Sequence, residues 1–421
     1  VDSIIIIGAG AAGLMAAKEL STNNHIILLE GDTRLGGRIH TIENTGFSSP
    51  IEAGAEFIHG NLHLTKQLLQ EAGLELAETG GIAVSSRNGR WVERDTMPNG
   101  WNGMLRRMGE LKEDTTLDAF LQENYKEEKH AKLCERARGF AQGYDVADPA
   151  KVSVFFLRDE WTEGWDDQYR VEGGYGKMIA HMAAECLKNG AEIYTGAVVK
   201  NITWARNKVT AVTADGNEFQ GEKVIVTIPV SLLQQTGHNN YIGFTPAIES
   251  YISAARNIGY GGVIKIVLEF KTAFWNDEKP GVGFVFCNEF VPTWWTQAPD
   301  EAPLITGWLG GPKADALAGT SEELIIEKSF QSLSSVFGIP SNNLQSQLVA
   351  GKVFNWPANE FSLGAYSYAT PLTAEALEIL NTPIGDTLYF AGEALYNGAH
   401  PGTVEAALVS GKHVAESIIK H

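Results

Sequence analysis

The chain has 421 residues, 44 % of them hydrophobic, with 51 acidic against 33 basic side chains and a formal charge of −18. At roughly 100–200 residues per domain, this is room for two or three domains and a large buried ligand. So acidic a balance repels phosphate backbones, which excludes nucleic acid as an expected partner and leaves small cations as suitable ones.

The first thirty residues carry the strongest local pattern. Ile4-Ile5-Ile6-Ile7 is a β-branched run stopped by Gly8, as expected of a strand buried on both faces of a parallel sheet. Gly8-Ala9-Gly10-Ala11-Ala12-Gly13 then opens a small-residue helix, and a second apolar run, 25–29, ends at Glu30. In such a strand, turn, helix, strand unit Gly8 permits the tight turn, Gly10 lets backbone approach a pyrophosphate, and Gly13 lets the helix pack on the strand. The helix N-terminus offers free N–H groups, and Glu30 can accept from a ribose diol while disfavouring a 2′-phosphate. The unit alone does not separate NAD from FAD.

Two glycine-rich segments follow. Arg34-Leu35-Gly36-Gly37-Arg38 suits a backbone passing a flat anionic ligand, with a plain surface loop as the alternative; Gly54-Ala55-Glu56-Phe57-Ile58-His59-Gly60 comes soon after.

With these segments in view, the chain resembles the flavin-containing amine oxidase family, which includes monoamine oxidases, polyamine oxidases and lysine-specific histone demethylases. The Gly36-Gly37-Arg38 and Gly54 to Gly60 segments resemble its flavin-contacting stretches, the latter most like a bacterial-type polyamine oxidase. The resemblance extends at intervals from Ile4 to Ile418 and implies the amine oxidase fold, an α/β Rossmann-like FAD-binding domain interleaved with an α+β substrate domain.

Further matches arrive in chain order. Residues 170–176 precede an amphipathic helix over 178–187, and the runs 191–194, 199–202 and 223–229 read as strands; the resemblance places Val199 at the adenine end of FAD. In Gly261-Gly262-Val263-Ile264-Lys265-Ile266-Val267-Leu268-Glu269-Phe270, period-two alternation puts Lys265 on one face and Ile264, Ile266 and Leu268 on the other. By itself this reads as a half-exposed strand with Lys265 in solvent. The resemblance, strengthened by Phe274-Trp275, makes Lys265 the lysine that holds a water near flavin N5.

Trp356 and Gly364-Ala365-Tyr366-Ser367-Tyr368 resemble the aromatic segment beside the flavin ring, with Tyr366 as one wall of a substrate cage. Two departures matter. Ala365 stands where monoamine oxidases carry the cysteine joined to flavin, so FAD is expected to be non-covalent. Thr403 stands where they carry a second cage tyrosine, so the site is expected to be wider. Gly392 and Glu393 end a buried strand over 387–393, and a helix starting near Thr403 and Val404 is expected to point its positive end at the flavin pyrimidine.

The resulting organisation assigns 1–60, 170–235 and 380–421 to the FAD-binding domain and 61–169 and 236–379 to the substrate domain. The first insert reads as helical from spaced apolar residues over 62–72 and 117–139. The expected reaction is oxidation of a small amine by O2 through FAD: hydride transfer from the α-carbon to N5, imine hydrolysis, and H2O2 release. Lys265, Tyr366, His59 and Thr403 are the residues assigned to the reacting side. A polyamine is the first choice of substrate, from the context of His59, the space at Thr403 and the acidic surface. The alternatives are a monoamine, with Trp161, Trp165, Trp294 and Trp295 as an aromatic pocket; an L-amino acid, held by Arg158 or Arg170; and a non-catalytic or chromatin-type protein of this fold. Glu160 and Asp166 are weighed as partners for a distal ammonium.

No metal site is expected. The three cysteines, Cys134, Cys186 and Cys287, are too few for a disulfide framework and fit a reducing compartment. No apolar run nears the roughly 18 residues of a membrane span. The expectation is a soluble protein, cytoplasmic rather than periplasmic or secreted, without membrane partners.

Overall fold

The computed structural model describes residues 2–43, 46–60, 62–87, 89–92, 97–162, 168–398 and 401–420. Its organising element is a parallel sheet of five strands in the order Glu192–Tyr194, His25–Leu29, Ser3–Ile7, Lys223–Val226, Leu388–Phe390. The run of isoleucines has a direct cause in this placement. Alternate side chains leave a strand on opposite faces, so Ile4 and Ile6 enter one hydrophobic core while Ile5 and Ile7 enter another.

The first core is closed by the helices Ala11–Leu20, His63–Glu71, Gly176–Lys188 and Val404–Lys420. The first and last of these cross closely, because a Cβ on Gly411 would lie 2.2 Å from the Ala12 carbonyl oxygen. The second core lies under a four-stranded sheet that includes Val199–Ala205 and Lys208–Thr213.

A second large sheet has seven strands in the order Leu348–Asn355, Val263–Phe270, Leu304–Gly310, Thr293–Trp295, Val282–Cys287, Ile82–Arg87, Arg90–Val92. The Lys265 strand, Val263–Phe270, is thus interior, and all eight of its residues are buried. Its alternation stands, but the half-exposed reading does not. Ile264, Ile266, Leu268 and Phe270 fill a core under the helix Glu322–Phe337, and the Lys265 face is covered by the rest of the molecule.

The expectation of a helical first insert needs correction. Helices Trp101–Glu110, Leu117–Asn124, Ala131–Gly143 and Val154–Thr162 do form a cluster around Trp101, Phe120 and Leu157. The same insert also contributes strands Leu76–Glu78, Ile82–Arg87 and Arg90–Val92. The helical run expected over 117–139 is broken after Asn124, with a short 3-10 turn, Glu128–His130, before the chain resumes as helix. No helix among the described residues is long and apolar enough to cross a membrane.

A three-stranded sheet positions the site: Phe57–His59 pairs with Gln168–Val171, which pairs with Leu76–Glu78. Its register sets Phe57 opposite Arg170 and His59 opposite Gln168.

Candidate active site

One cavity of about 990 Å³ runs from the glycine loop after Ile7 to the Lys265 strand. That volume is at the top of the range of roughly 300–1,000 Å³ usual for small-molecule and cofactor pockets. At one end it is lined by Gly8, Gly10, Glu30, Arg34, Gly37, Arg38 and Val199; at the other by Lys265, Tyr366 and His59. Gly54, Ala55, Trp356, Gly392, Glu393, Thr403 and Val404 line its length. Of the residues assigned from sequence to the cofactor and to the reacting side, Gly13 alone lies outside the lining. Its place is beneath the loop, where a Cβ would stand 1.9 Å from the Gly8 carbonyl oxygen, so it seats the helix and touches no ligand.

The nucleotide end fits a dinucleotide in detail. A Cβ on Gly10 would meet no protein atom nearer than the Gly36 oxygen at 4.0 Å, so the backbone there faces open cavity. No side chain caps the helix Ala11–Leu20, whose first N–H groups are left for an anion. Gly36 N–H donates to Ala9 O at 2.8 Å, docking the second glycine segment on the first. Arg34 holds that loop by donating to the carbonyls of Leu35, Ile39 and Gly37. The buried Glu30 carboxylate accepts from Ala9 N–H at 2.6 Å and Asp32 N–H at 2.8 Å. Burial raises its pKa against the pull of those two bonds. A carboxylate has about four lone-pair sites, so capacity for a ribose diol remains.

The middle of the cavity is held by Arg38, which donates to Glu393 Oε1 at 2.7 Å and to Ala365 O at 2.8 Å. Glu393 also accepts from the Ser367 hydroxyl at 2.6 Å, and Trp356 donates to Ala53 O at 2.9 Å. The helix Val404–Lys420 begins here, with Thr403 Oγ1 accepting from Ala406 N–H at 3.2 Å, and Thr403, Val404 and Ala407 face the cavity.

At the far end Lys265 is 1 % exposed and donates to Glu56 Oε2 at 2.6 Å and Gly54 O at 3.2 Å. Glu56 also accepts from Arg170 Nε at 2.8 Å and Trp295 Nε1 at 3.1 Å. Burial alone would raise the Glu56 carboxyl; Lys265 and Arg170 together hold it below its ordinary value. Aromatic rings complete the wall: Phe57 meets Trp295 edge-on at 5.3 Å, and Trp295 lies 5.8 Å from Trp308. Tyr366 donates to Tyr144 O at 2.6 Å, and Gln168 Nε2 lies 3.0 Å from His59 Nδ1.

Beyond Tyr366, the first insert supplies Arg136 and Glu160 from helices and Tyr144 and Asp145 from the turn after Gly143 to the lining. Burial drives the Asp145 carboxyl well above the carboxylate range, with Glu160 adding to the rise and Trp161, which donates to Asp145 Oδ2 at 3.1 Å, opposing it. Glu56, Asp145 and Trp308 are cavity residues to which the sequence reading gave no role.

The tryptophans proposed together are separated. Trp294 and Trp295 are neighbours in a strand and point to opposite faces, so Trp294 is fully buried in the core and Trp295 alone of the two lines the cavity. Trp161 stacks on Trp101 within the helical cluster, and Trp165 and Asp166 lie outside the described residues. Arg158 is paired with Asp159 away from the lining, and Arg170 is committed to Glu56.

The sequence pattern of flavin containing amine oxidoreductases matches residues 11–419, almost the whole chain. The chain belongs to that family. It is therefore a flavin amine oxidoreductase with FAD as cofactor, and the cradle described above fits FAD.

Polyamine oxidase 3 of Oryza sativa subsp. japonica is 26 % identical over 98 % of this chain and 88 % of its own length. Lysine-specific histone demethylase 1 homolog 3 of Arabidopsis thaliana is 25 % identical over 99 % of this chain, which spans only 30 % of that protein. Among solved structures, wild-type putrescine oxidase bound to putrescine superposes with a TM-score of 0.80 at 20 % identity, covering 100 % of this chain and 99 % of that one. Cyclohexylamine oxidase from Brevibacterium oxydans IH-35A gives 0.82 at 19 % identity with the same coverage. Those two likenesses establish the amine oxidase fold.

Proposed function

We propose that this enzyme oxidises a polyamine, a chain amine whose reacting nitrogen is accompanied by a second, cationic one. The observation that carries the reading is the Asp145 carboxyl, with Glu160 beside it on the cavity wall, while Arg170 is tied to Glu56. The Asp145 carboxyl is buried with the Trp161 indole as its donor, and a cationic nitrogen reaching that wall favours its charged form. The polyamine oxidases among its relatives and the fold shared with a putrescine oxidase support the same class.

FAD, which Gly8, Gly10, Glu30, Arg38 and Val199 would hold without a covalent link because Ala365 offers no sulfur, would supply a two-electron acceptor for the hydride of the amine α-carbon, with O2 as the final oxidant reduced to H2O2. The remaining work falls to the chain. Tyr366, Trp308, Trp295 and Phe57 form walls that exclude water and orient the amine. Lys265 has three N–H groups, two of them taken by Glu56 and Gly54, so the third is available to hold a water at the reacting edge. The start of the helix Val404–Lys420 presents its positive dipole end to charge that develops on reduction. The imine product is released and hydrolysed by water to a carbonyl compound and an amine. His59 and Gln168 line the approach.

A second reading follows from Arg136 on the same wall: an amino-acid substrate whose carboxylate that guanidinium would hold. A peroxide-coupled screen of putrescine, spermidine, spermine, acetylated polyamines, aromatic monoamines and L-amino acids separates the two. Turnover of the polyamines is expected. Turnover confined to L-amino acids would replace the first reading with the second.

A further inference from the structure

Lys265 and Arg170 come from different sheets, yet their side chains converge on one carboxylate, that of Glu56. The side chains of Lys265 and Glu56 are 1 % and 8 % exposed, and that of Arg170 16 %. Every acceptor direction of Glu56 in use is aimed at a neighbour: Oε2 at Lys265, Oε1 at Arg170 and the Trp295 indole. The cluster is braced by rings, with the Arg170 guanidinium 4.8 Å from the Phe57 centroid and Lys265 Nζ 5.6 Å from that of Trp295. Three of the roughly four lone-pair sites of Glu56 are thus taken, two of them by cations, so its charge is already engaged by Lys265 and Arg170. What it controls is the place of Lys265 and the net charge of the cluster.

We propose that Glu56 is a positioning residue that holds the Lys265 ammonium at the reacting edge of the flavin and sets the net charge there. The proposal rests on Lys265 facing that edge. Two cations and one anion leave the cluster with a single positive charge. An unopposed pair of cations would favour the electron-rich reduced flavin more strongly, and loss of Lys265 would favour it less. Glu52 faces the same cluster, with its own bonds from the Thr41 hydroxyl and Tyr175 N–H, and burial raises its carboxyl. Lys265 lowers that carboxyl and Glu56 raises it, so its charge follows the single variants, and the double variant, which removes both influences, is the controlling comparison.

The test is the two-electron midpoint potential of the purified, FAD-loaded enzyme and three variants, measured against reference dyes. Glu56→Gln is expected to shift the equilibrium toward reduced flavin about tenfold, about 30 mV upward. Lys265→Met is expected to shift it about tenfold the other way. Glu56→Gln/Lys265→Met, with the wild-type net charge restored, is expected to return within about threefold of wild type, which a merely structural role for Glu56 would not produce. Glu56→Asp, which keeps the charge at a shorter reach, is expected to hold the wild-type potential while slowing turnover.

An unmoved potential in Lys265→Met would overturn the placement of Lys265 at the flavin. A potential that moves in Lys265→Met but not in Glu56→Gln would overturn the role of Glu56 alone. Should Glu56→Gln fail to hold flavin, the double variant against Lys265→Met decides: a tenfold difference is expected, and equality would overturn the proposal.

Discussion

The phenol of Tyr366 donates to the backbone carbonyl of Tyr144 at 2.6 Å, across 222 residues of sequence. This bond ties the cavity wall of the Tyr366–Tyr368 strand to the helical insert that carries Asp145. Burial first, then Asp145, Tyr144 and Glu160, push the phenol well above its usual pKa, so it stays a neutral donor.

Tyr366→Phe is accordingly expected to keep the wall and lose only the tether, at about 1 kcal/mol for one net hydrogen bond, or roughly a fivefold fall in kcat/KM. Tyr366→Ala removes the ring as well and is expected to cost about a hundredfold. Steady-state kinetics with a diamine checks both. Equal losses in the two variants would show that the tether, not the ring, is the contribution.

Glu30 makes a separate prediction at the other end of the cavity. Its carboxylate satisfies Ala9 N–H and Asp32 N–H in a buried setting. Glu30→Ala leaves both without their acceptor, at about 1–3 kcal/mol for each buried group. The expected result is a chain that loses its flavin on gel filtration, read as the ratio of absorbance near 450 nm to that near 280 nm. Glu30→Gln, which still accepts through one oxygen, is expected to retain part of it. Full flavin content in Glu30→Ala would remove Glu30 from the cofactor site.

The close crossing of the helices Ala11–Leu20 and Val404–Lys420 is a third point of test. A methyl on Gly411 would sit 2.2 Å from a backbone oxygen that cannot rotate away. Gly411→Ala is expected to force the helices apart at about 1–3 kcal/mol. Both helices present their N-terminal ends to the cavity, so flavin retention and apparent Tm are expected to fall together. A lower Tm with unchanged flavin retention would show that the crossing supports the fold without shaping the cradle.

What the sequence discloses follows the distance over which each feature is made. The glycine loop, its strand and its helix lie within thirty residues, and their chemistry can be read in place. The Lys265 alternation is equally local, but burial of both faces depends on Trp308 and Phe354 in the flanking strands and on the layers packed above them. The Ile82–Arg87 strand has a local partner in Arg90–Val92, but its place in the large sheet is set by Val282–Cys287, two hundred residues on. Glu56 stood in plain view within the Gly54 to Gly60 segment, and its role did not, since its partners arrive from Arg170, Lys265 and Trp295. A signal was available: a lysine on a strand that proves to be buried requires an anion, and Glu56 is an acid between a glycine turn and an apolar strand.

Asp145 gives the prediction that bears most directly on substrate. Its carboxyl is raised well above the carboxylate range, so the charged form that holds an ammonium prevails only above that raised pKa. The KM of a diamine, divided by that of a monoamine of similar length to cancel deprotonation of the reacting nitrogen, is expected to fall as pH rises through that value. Asp145→Asn is expected to flatten this profile and to raise the diamine KM about tenfold, or about 1.4 kcal/mol, with the monoamine little changed. The sign for stability is opposite. A carboxyl whose folded pKa exceeds its unfolded value of about 3.9 opposes folding increasingly as pH rises between the two, and fully above the higher one. Asp145→Asn, whose amide oxygen can keep the Trp161 bond, is therefore expected to match wild type in Tm near pH 4 and exceed it near pH 8, at about 1 kcal/mol. A diamine KM untouched by the substitution would remove Asp145 from substrate binding, while the stability gain would stand as a consequence of its burial alone.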